Sequence, residues 1–154
     1  MAIQTTVRDI MVDVFEYPHI PYWFTLRQAA GIVRNTLLAG DKHVQPLVVL
    51  VFDEKYNLVG MVDLREIVKG LEPLWSGVAA PAPPAKPASE AAVATVMRAV
   101  DAFVEPAASV ADAARLIVER GLELVPVLED GKKLIGVARW QEVFQECSRA
   151  ALGG

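Results

Sequence analysis

At 154 residues the chain suits one compact domain or two very small ones, and two halves sharing a core would be the more stable arrangement. Its 53% hydrophobic content and mean hydropathy of +0.32 point to extensive burial, an oligomer interface included, while a net charge of −4 with no basic stripe argues against a nucleic-acid partner. The longest apolar run, Leu47 to Phe52, is far below the roughly 20 residues of a membrane span, the start shows no signal core, and the single Cys147 excludes an internal disulfide, so a cytoplasmic location is expected.

Taken in order, Thr6 reads as the N-cap of a short helical turn, Val7 to Met11. The segment from Val12 to Tyr22 is broken by Pro18 and Pro21 and is expected to be a short strand or irregular. Thr25 and Gln28 form a capping box. The helix it opens places Leu26, Ala29, Ala30, Val33 and Leu37 on one face and ends at Gly40 and Asp41. Pro46 introduces Leu47 to Phe52, a run suited to a strand buried on both faces. After a turn at Asp53 to Asn57, Leu58-Val59-Gly60-Met61-Val62 returns as a strand. Asp63 and Glu66 read as a second capping box, opening a helix that carries Leu64, Ile67, Val68 and Leu71 and stops at Pro73. The alanine- and proline-rich stretch from about Ser76 to Ala94 reads as an extended connector.

The second half repeats the first. Thr95-Val96-Met97 matches Thr6-Val7-Arg8. Ser109 and Asp112 start a helix in which Val110, Ala113, Ala114 and Ile117 recur at the same spacing, with Gly121 as its C-cap. Pro126 matches Pro46, Glu129-Asp130-Gly131 is a hairpin turn, and Leu134-Ile135-Gly136-Val137-Ala138 matches the earlier glycine strand. In the last helix Trp140, Val143, Phe144 and Cys147 take the places of Leu64, Ile67, Val68 and Leu71. The order of elements implies an internal duplication of a strand–helix–strand–strand–helix unit. The expected organisation is a first unit at 1–73, a connector at 74–94 and a second unit at 95–154.

These duplicated motifs resemble the cystathionine-β-synthase-type (CBS) domain, and the two together resemble a tandem CBS pair, or Bateman module. The resemblance implies an α/β fold of two β-α-β-β-α units packed with pseudo-two-fold symmetry, with clefts between them and pairing of modules through their helices. It also implies binding of adenosine-containing ligands such as AMP, ADP, ATP or S-adenosylmethionine, and regulation of an enzyme or transporter. In nucleotide-binding members the glycine is followed by two apolar residues, a serine or threonine, two more residues and an aspartate. The hydroxyl residue and helix N-terminus receive phosphate, and the aspartate accepts from the ribose.

This chain departs from that pattern in both copies. Asp63 and Arg139 stand at the hydroxyl position, Glu66 and Glu142 at the ribose position. Asp63 would repel phosphate, and with Glu66 it is accounted for by an ordinary capping box. Arginine is a poor N-cap, so Arg139 is either an anion contact, a solvated residue or one half of an ion pair with a neighbouring acid. If an anion binds, the second copy is favoured, with Arg139 near the anion and Glu142 near a polyol. Gly136, Val137, Met61, Pro21 and Tyr22 complete the expected ligand-binding set. Tyr17, Tyr22, Trp23 and Phe24 form an aromatic cluster that either stacks a base or plugs a core or interface.

His19 and His43 lack the spacing of a metal site, and Cys147 reads as a small buried hydrophobe. No nucleophile–base–acid set or phosphate loop stands out, so no enzymatic activity and no certain cofactor are expected. The expected role is a regulatory sensor of adenosine-type ligands acting in trans. The alternative is a degenerate module that binds no nucleotide and serves as a scaffold. In either case a homodimer is expected through Leu64, Ile67, Val68, Leu71, Trp140, Val143, Phe144 and Cys147.

Overall fold

The computed structural model describes residues 3–38, 48–77 and 90–153. A four-residue helix, α1 (Val7–Ile10), comes first. Thr6 starts it, donating from its backbone N–H and its hydroxyl to Asp9 Oδ2 at 3.1 and 3.0 Å. Pro18 and Pro21 deny the following segment a helix. It forms strand β1 (Val12–Asp13), a 3-10 turn (Val14–Glu16) and strand β2 (His19–Pro21). The Thr25 capping box is present: Thr25 N–H donates to Gln28 Oε1 at 2.9 Å, and Gln28 N–H to Thr25 Oγ1 at 3.1 Å. Helix α2 (Leu26–Leu38) buries Leu26, Ala29 and Val33, whereas Leu37, expected on the same face, is exposed.

Strand β3 (Val48–Phe52) is buried at all five positions, as a strand covered on both faces should be. The turn after it leads to β4 (Leu58–Asp63) and helix α3 (Leu64–Gly70). Pro73 does more than end that helix. It sits in the first turn of a further short helix, α4 (Glu72–Trp75), which is tied back by Trp75 Nε1 donating to the Val68 carbonyl at 2.9 Å. Helix α5 (Val110–Arg120) starts at Ser109, whose Oγ accepts from Ala111 N–H at 3.1 Å, and ends at left-handed Gly121. Strands β5 (Leu124–Glu129) and β6 (Lys133–Arg139) meet in a turn where Asp130 and Gly131 both have positive φ, 55° and 68°, as a type I′ hairpin requires. Helix α6 (Trp140–Ala151) closes the described chain. Among the described residues no helix is long and apolar enough to cross a membrane. The expectations placed on Gly40, Asp41, His43, Pro46 and 80–87 lie outside the described residues.

The compact units regroup the chain. One comprises Met1–Tyr17 with Asp101–Gly154, the other Pro18–Val100, instead of the consecutive spans 1–73 and 95–154 with a connector at 74–94. The sheets explain the difference. In the Pro18–Val100 unit the order is β2-β3-β4, with β2 parallel to β3 and β3 antiparallel to β4. Beyond β4, Arg98 pairs with Met61, each N–H donating to the other's carbonyl at 2.9 and 3.0 Å. In the other unit the order is β1-β6-β5, and Val104 bridges Val127 in parallel on the far side of β5. Both sheets thus have the same four places. Val12, which leads into the first repeat, pairs with Val137 in the second repeat's glycine strand. Arg98, from the start of the second repeat, pairs on the first repeat's glycine strand.

Each unit has its own core. In one, Ile20, Leu26, Ala29, Val49, Val51 and Val62 pack with Ile67, and Val93 joins them. In the other, Val7 packs with Val104, Val110, Ala113, Val125, Val127, Ala138 and Val143. Full burial of a valine or leucine side chain contributes about 1.5–3 kcal/mol, so the stripes read from the sequence hold these units together. Ile67 and Val143, expected to face a dimer partner, are instead 4% and 5% exposed inside these cores. Leu64 and Leu71 are half-buried against the same core as Ile67. Val68, Trp140, Phe144 and Cys147 are exposed, so Cys147 is not the buried hydrophobe expected.

The repeated glycines are where the exchanged segments touch down. A Cβ at Gly136 would lie 2.6 Å from the Val12 carbonyl oxygen. One at Gly60 would meet Met97 Sδ at 2.7 Å and the Arg98 carbonyl oxygen at 3.0 Å. Backbone cannot yield as a thioether can. Gly136→Ala is therefore expected to destabilise the fold by about 1–3 kcal/mol, and Gly60→Ala by less, in urea unfolding. Equal stabilities for both variants and the wild type would remove this role for the glycines.

Candidate functional site

The stretch where each glycine strand runs into a helix carries the residues expected to meet a ligand. In the unit containing α6, Arg139 occupies the N-cap with extended backbone and makes no capping bond. Its guanidinium turns along the first helical turn to Glu142. Nε donates to Oε1 at 2.9 Å and to Oε2 at 3.2 Å, and Nη2 also donates to Oε1. The side chains are only 7% and 13% exposed. Spacing i,i+3 on a helix brings them together, and burial makes each dependent on the other. Arg139 and Glu142 are thus each other's partners in this structure. Val137 is fully buried in the strand, and Gly136 is covered by the Val12 backbone.

In the Pro18–Val100 unit the corresponding junction is built differently. Asp63 is the N-cap of α3 but makes no side-chain capping bond. The expected box with Glu66 is absent because Arg98 Nη2 donates to Asp63 Oδ1 at 3.0 Å, and a charge-assisted bond wins over a backbone N–H. Glu66 is half-buried in the first turn, and Met61 is buried and paired through its backbone with Arg98. Pro21 and Tyr22 do not join this group. The register sets Pro21 opposite Phe52 and Asp63 opposite Val48, at opposite ends of β3.

Pro21 instead borders a cleft of about 320 Å³ at the hairpin end of the same sheet, with Ile20, His19 and Trp23 on one side and Phe52, Asp53, Glu54 and Tyr56 on the other. Asp53 shapes its rim. One carboxylate oxygen accepts from Lys55 N–H at 2.9 Å and Asn57 N–H at 2.8 Å, and the other from Asn57 Nδ2 at 3.2 Å. The Asn57 backbone bond, ahead of the others, holds the Asp53 carboxyl below its ordinary range. The same turn forces Tyr56 to a φ of +67°, a strain of order 1 kcal/mol or more for an aromatic residue. Tyr56 hydroxyl and His19 Nε2 are hydrogen-bonded at 2.8 Å. From the sequence these residues read as a turn and a lone histidine; only the parallel pairing of β2 with β3 brings them together. The cluster read at Tyr17 to Phe24 is divided: Tyr17 is buried in one unit, and Tyr22 and Trp23 meet edge to face in the other.

Replacing Arg139 with Met strands the Glu142 carboxylate and is expected to cost about 3–5 kcal/mol. The double change Arg139→Met with Glu142→Leu should recover most of it in a urea-unfolding cycle. A double variant no more stable than the single one would show that the pair carries no coupling.

Residues 93–148 match the family model described as the CBS domain. No curated protein matches the chain in sequence. Among solved structures, CBSX2 from Arabidopsis thaliana is similar with a TM-score of 0.71 at 20% identity, over 95% of this chain and 96% of that one. CBSX2 in complex with AMP gives 0.69 at 20% identity, over 95% and 98%. The CBS domain of the bacterial CNNM/CorC family Mg2+ transporter in complex with ATP gives 0.71 at 17% identity, over 92% and 86%. Residues 93–148 thus carry the match to the CBS domain, and the chain as a whole has the fold of a CBS-domain pair.

Proposed function

We propose that this CBS pair is a regulatory small-molecule-binding module in the cytoplasm, sensing an adenosine-type ligand and acting in trans on a partner protein. The observation that carries this reading is the β6–α6 junction. There Arg139 stands at the start of a twelve-residue helix with Glu142 one turn on. Unpaired N–H groups and the helix dipole favour an anion at such an end, and an arginine adds charge and fork geometry. Glu142 offers an acceptor for a ribose diol. A nucleotide would exchange the internal pair for two external contacts, phosphate to Arg139 and diol to Glu142. The AMP and ATP complexes of similar folds support the ligand class.

One observation favours the second reading, a scaffold that binds no nucleotide: Arg139 is already paired with Glu142, and Asp63 with Arg98. A thermal-shift panel of AMP, ADP, ATP and S-adenosylmethionine separates the two. At about 100 times its dissociation constant a ligand adds about 2.7 kcal/mol, so one member should raise the melting temperature. Arg139→Ala should abolish that ligand-induced rise and Asp63→Ala should leave it. No rise with any member selects the scaffold.

Either reading includes a homodimer. Trp140, Phe144 and Cys147 lie on one exposed apolar face of α6, and α3 exposes Val68. Sedimentation at micromolar concentration should give a dimer mass for the wild type and a monomer mass for Phe144→Glu. A monomeric wild type sinks this assembly.

A further inference from the structure

The cleft at the hairpin end of the Pro18–Val100 unit has no part in the adenosine reading. It lies at the Leu58 end of β4, while the junction with α3 lies at Asp63, five residues on, or about 17 Å along a strand. We propose that this cleft binds a small organic cation, an ammonium group carried on a compact apolar body.

Size, walls and charge converge on that class. A volume of about 320 Å³ is at the small end of ligand pockets. Phe52 and Tyr56 form one wall, their ring centroids 5.0 Å apart and their planes tilted by 32°. His19 stands edge-on to both, at 5.3 and 5.8 Å, and its bond to the Tyr56 hydroxyl fixes the corner. Trp23 supplies a further ring, 53% exposed and braced edge to face by Tyr22. Ring faces carry negative potential and attract a cation with little cost in desolvation. Asp53 and Glu54 are the ionic lining residues, and neither lysine nor arginine is among them. The N–H donors of Asn57 and Lys55 favour the charged form of the Asp53 carboxyl. An anion meets two carboxylates there. A hydrated metal ion gains nothing from the rings, and Asp53 has both oxygens engaged by the turn. The left-handed Tyr56, φ +67°, is the residue that the turn places over the cleft, where asparagine or glycine would form the turn with less strain.

The full chain can be titrated with choline, with its uncharged carbon analogue dimethylbutanol, and with glycine betaine, which adds a carboxylate. The indole N–H resonances report binding, and Trp23→Phe assigns the one at the cleft. Choline should saturate and shift that resonance, and the analogue and betaine should bind about tenfold more weakly or less well still. Tyr56→Asn, which suits the left-handed backbone and so preserves the fold, should weaken choline about tenfold. Choline and its neutral analogue binding alike, a Trp23 resonance unmoved by choline, or an unchanged affinity in Tyr56→Asn would each overturn the proposal. None of these results bears on Arg139, so this test and the nucleotide panel fail separately.

Discussion

The fold depends on a close backbone approach at two glycines. The Val12 carbonyl lies over Gly136, and the Arg98 carbonyl over Gly60. A side chain at either point would hold the leading segment away from the strand. With that segment in place, each sheet gains an edge partner from the other repeat, and the helix start that follows the glycine acquires neighbours remote in sequence. The N-terminal segment is also pinned by side chains. Thr5 Oγ1 donates to Glu146 Oε2 at 2.8 Å, and Arg149 grips the same carboxylate. Those bonds, the one from Arg149 first, hold the Glu146 carboxyl below its ordinary range. It stabilises the fold above the ordinary glutamate pKa, and that contribution is lost as pH falls through the lower folded value.

The two strand–helix junctions have the same backbone and opposite electrostatic designs. Arg139 and Glu142 are local, three residues apart, and almost fully buried. Arg98 and Asp63 are 35 residues apart, and both side chains are about a third exposed. An exposed pair of that kind contributes about 0–1 kcal/mol, because water screens it. A buried pair is an all-or-nothing unit: either partner alone is costly, so a ligand that displaces one must satisfy both. Divergence at one residue position has therefore made two copies of one motif chemically distinct.

The opposite end of the Pro18–Val100 sheet follows a different logic. Its cleft owes its shape to a turn in which the Asp53 carboxylate replaces the missing backbone partners and sets Tyr56 beside Phe52 and His19. Rings and carboxylates line this end, whereas the junction of the other unit carries the buried Arg139–Glu142 pair. The two ends differ because strand ends are set by their local turns and not by the separate cores behind them.

The sequence by itself determined the elements. Apolar stripes at helical spacing, Thr25 with Gln28, Ser109, Gly121 and the Asp130-Gly131 turn are local signals, carried by bonds between residues no more than a few positions apart. They specify α2, α5, the hairpins and the duplication. Tertiary structure decided the rest. Pairing of Met61 with Arg98 spans about half a repeat and that of Val12 with Val137 more than one, and no local pattern encodes which glycine strand a leading segment will choose. The same reason accounts for Asp63. Its spacing to Glu66 satisfies the rule for a capping box, but the rule cannot see the guanidinium that arrives from Arg98 and takes the carboxylate. It accounts also for Ile67 and Val143, which the stripe suggested would face a partner and which pack inside the cores instead. Periodicity marks which residues avoid water; only packing decides what each of them is hidden by.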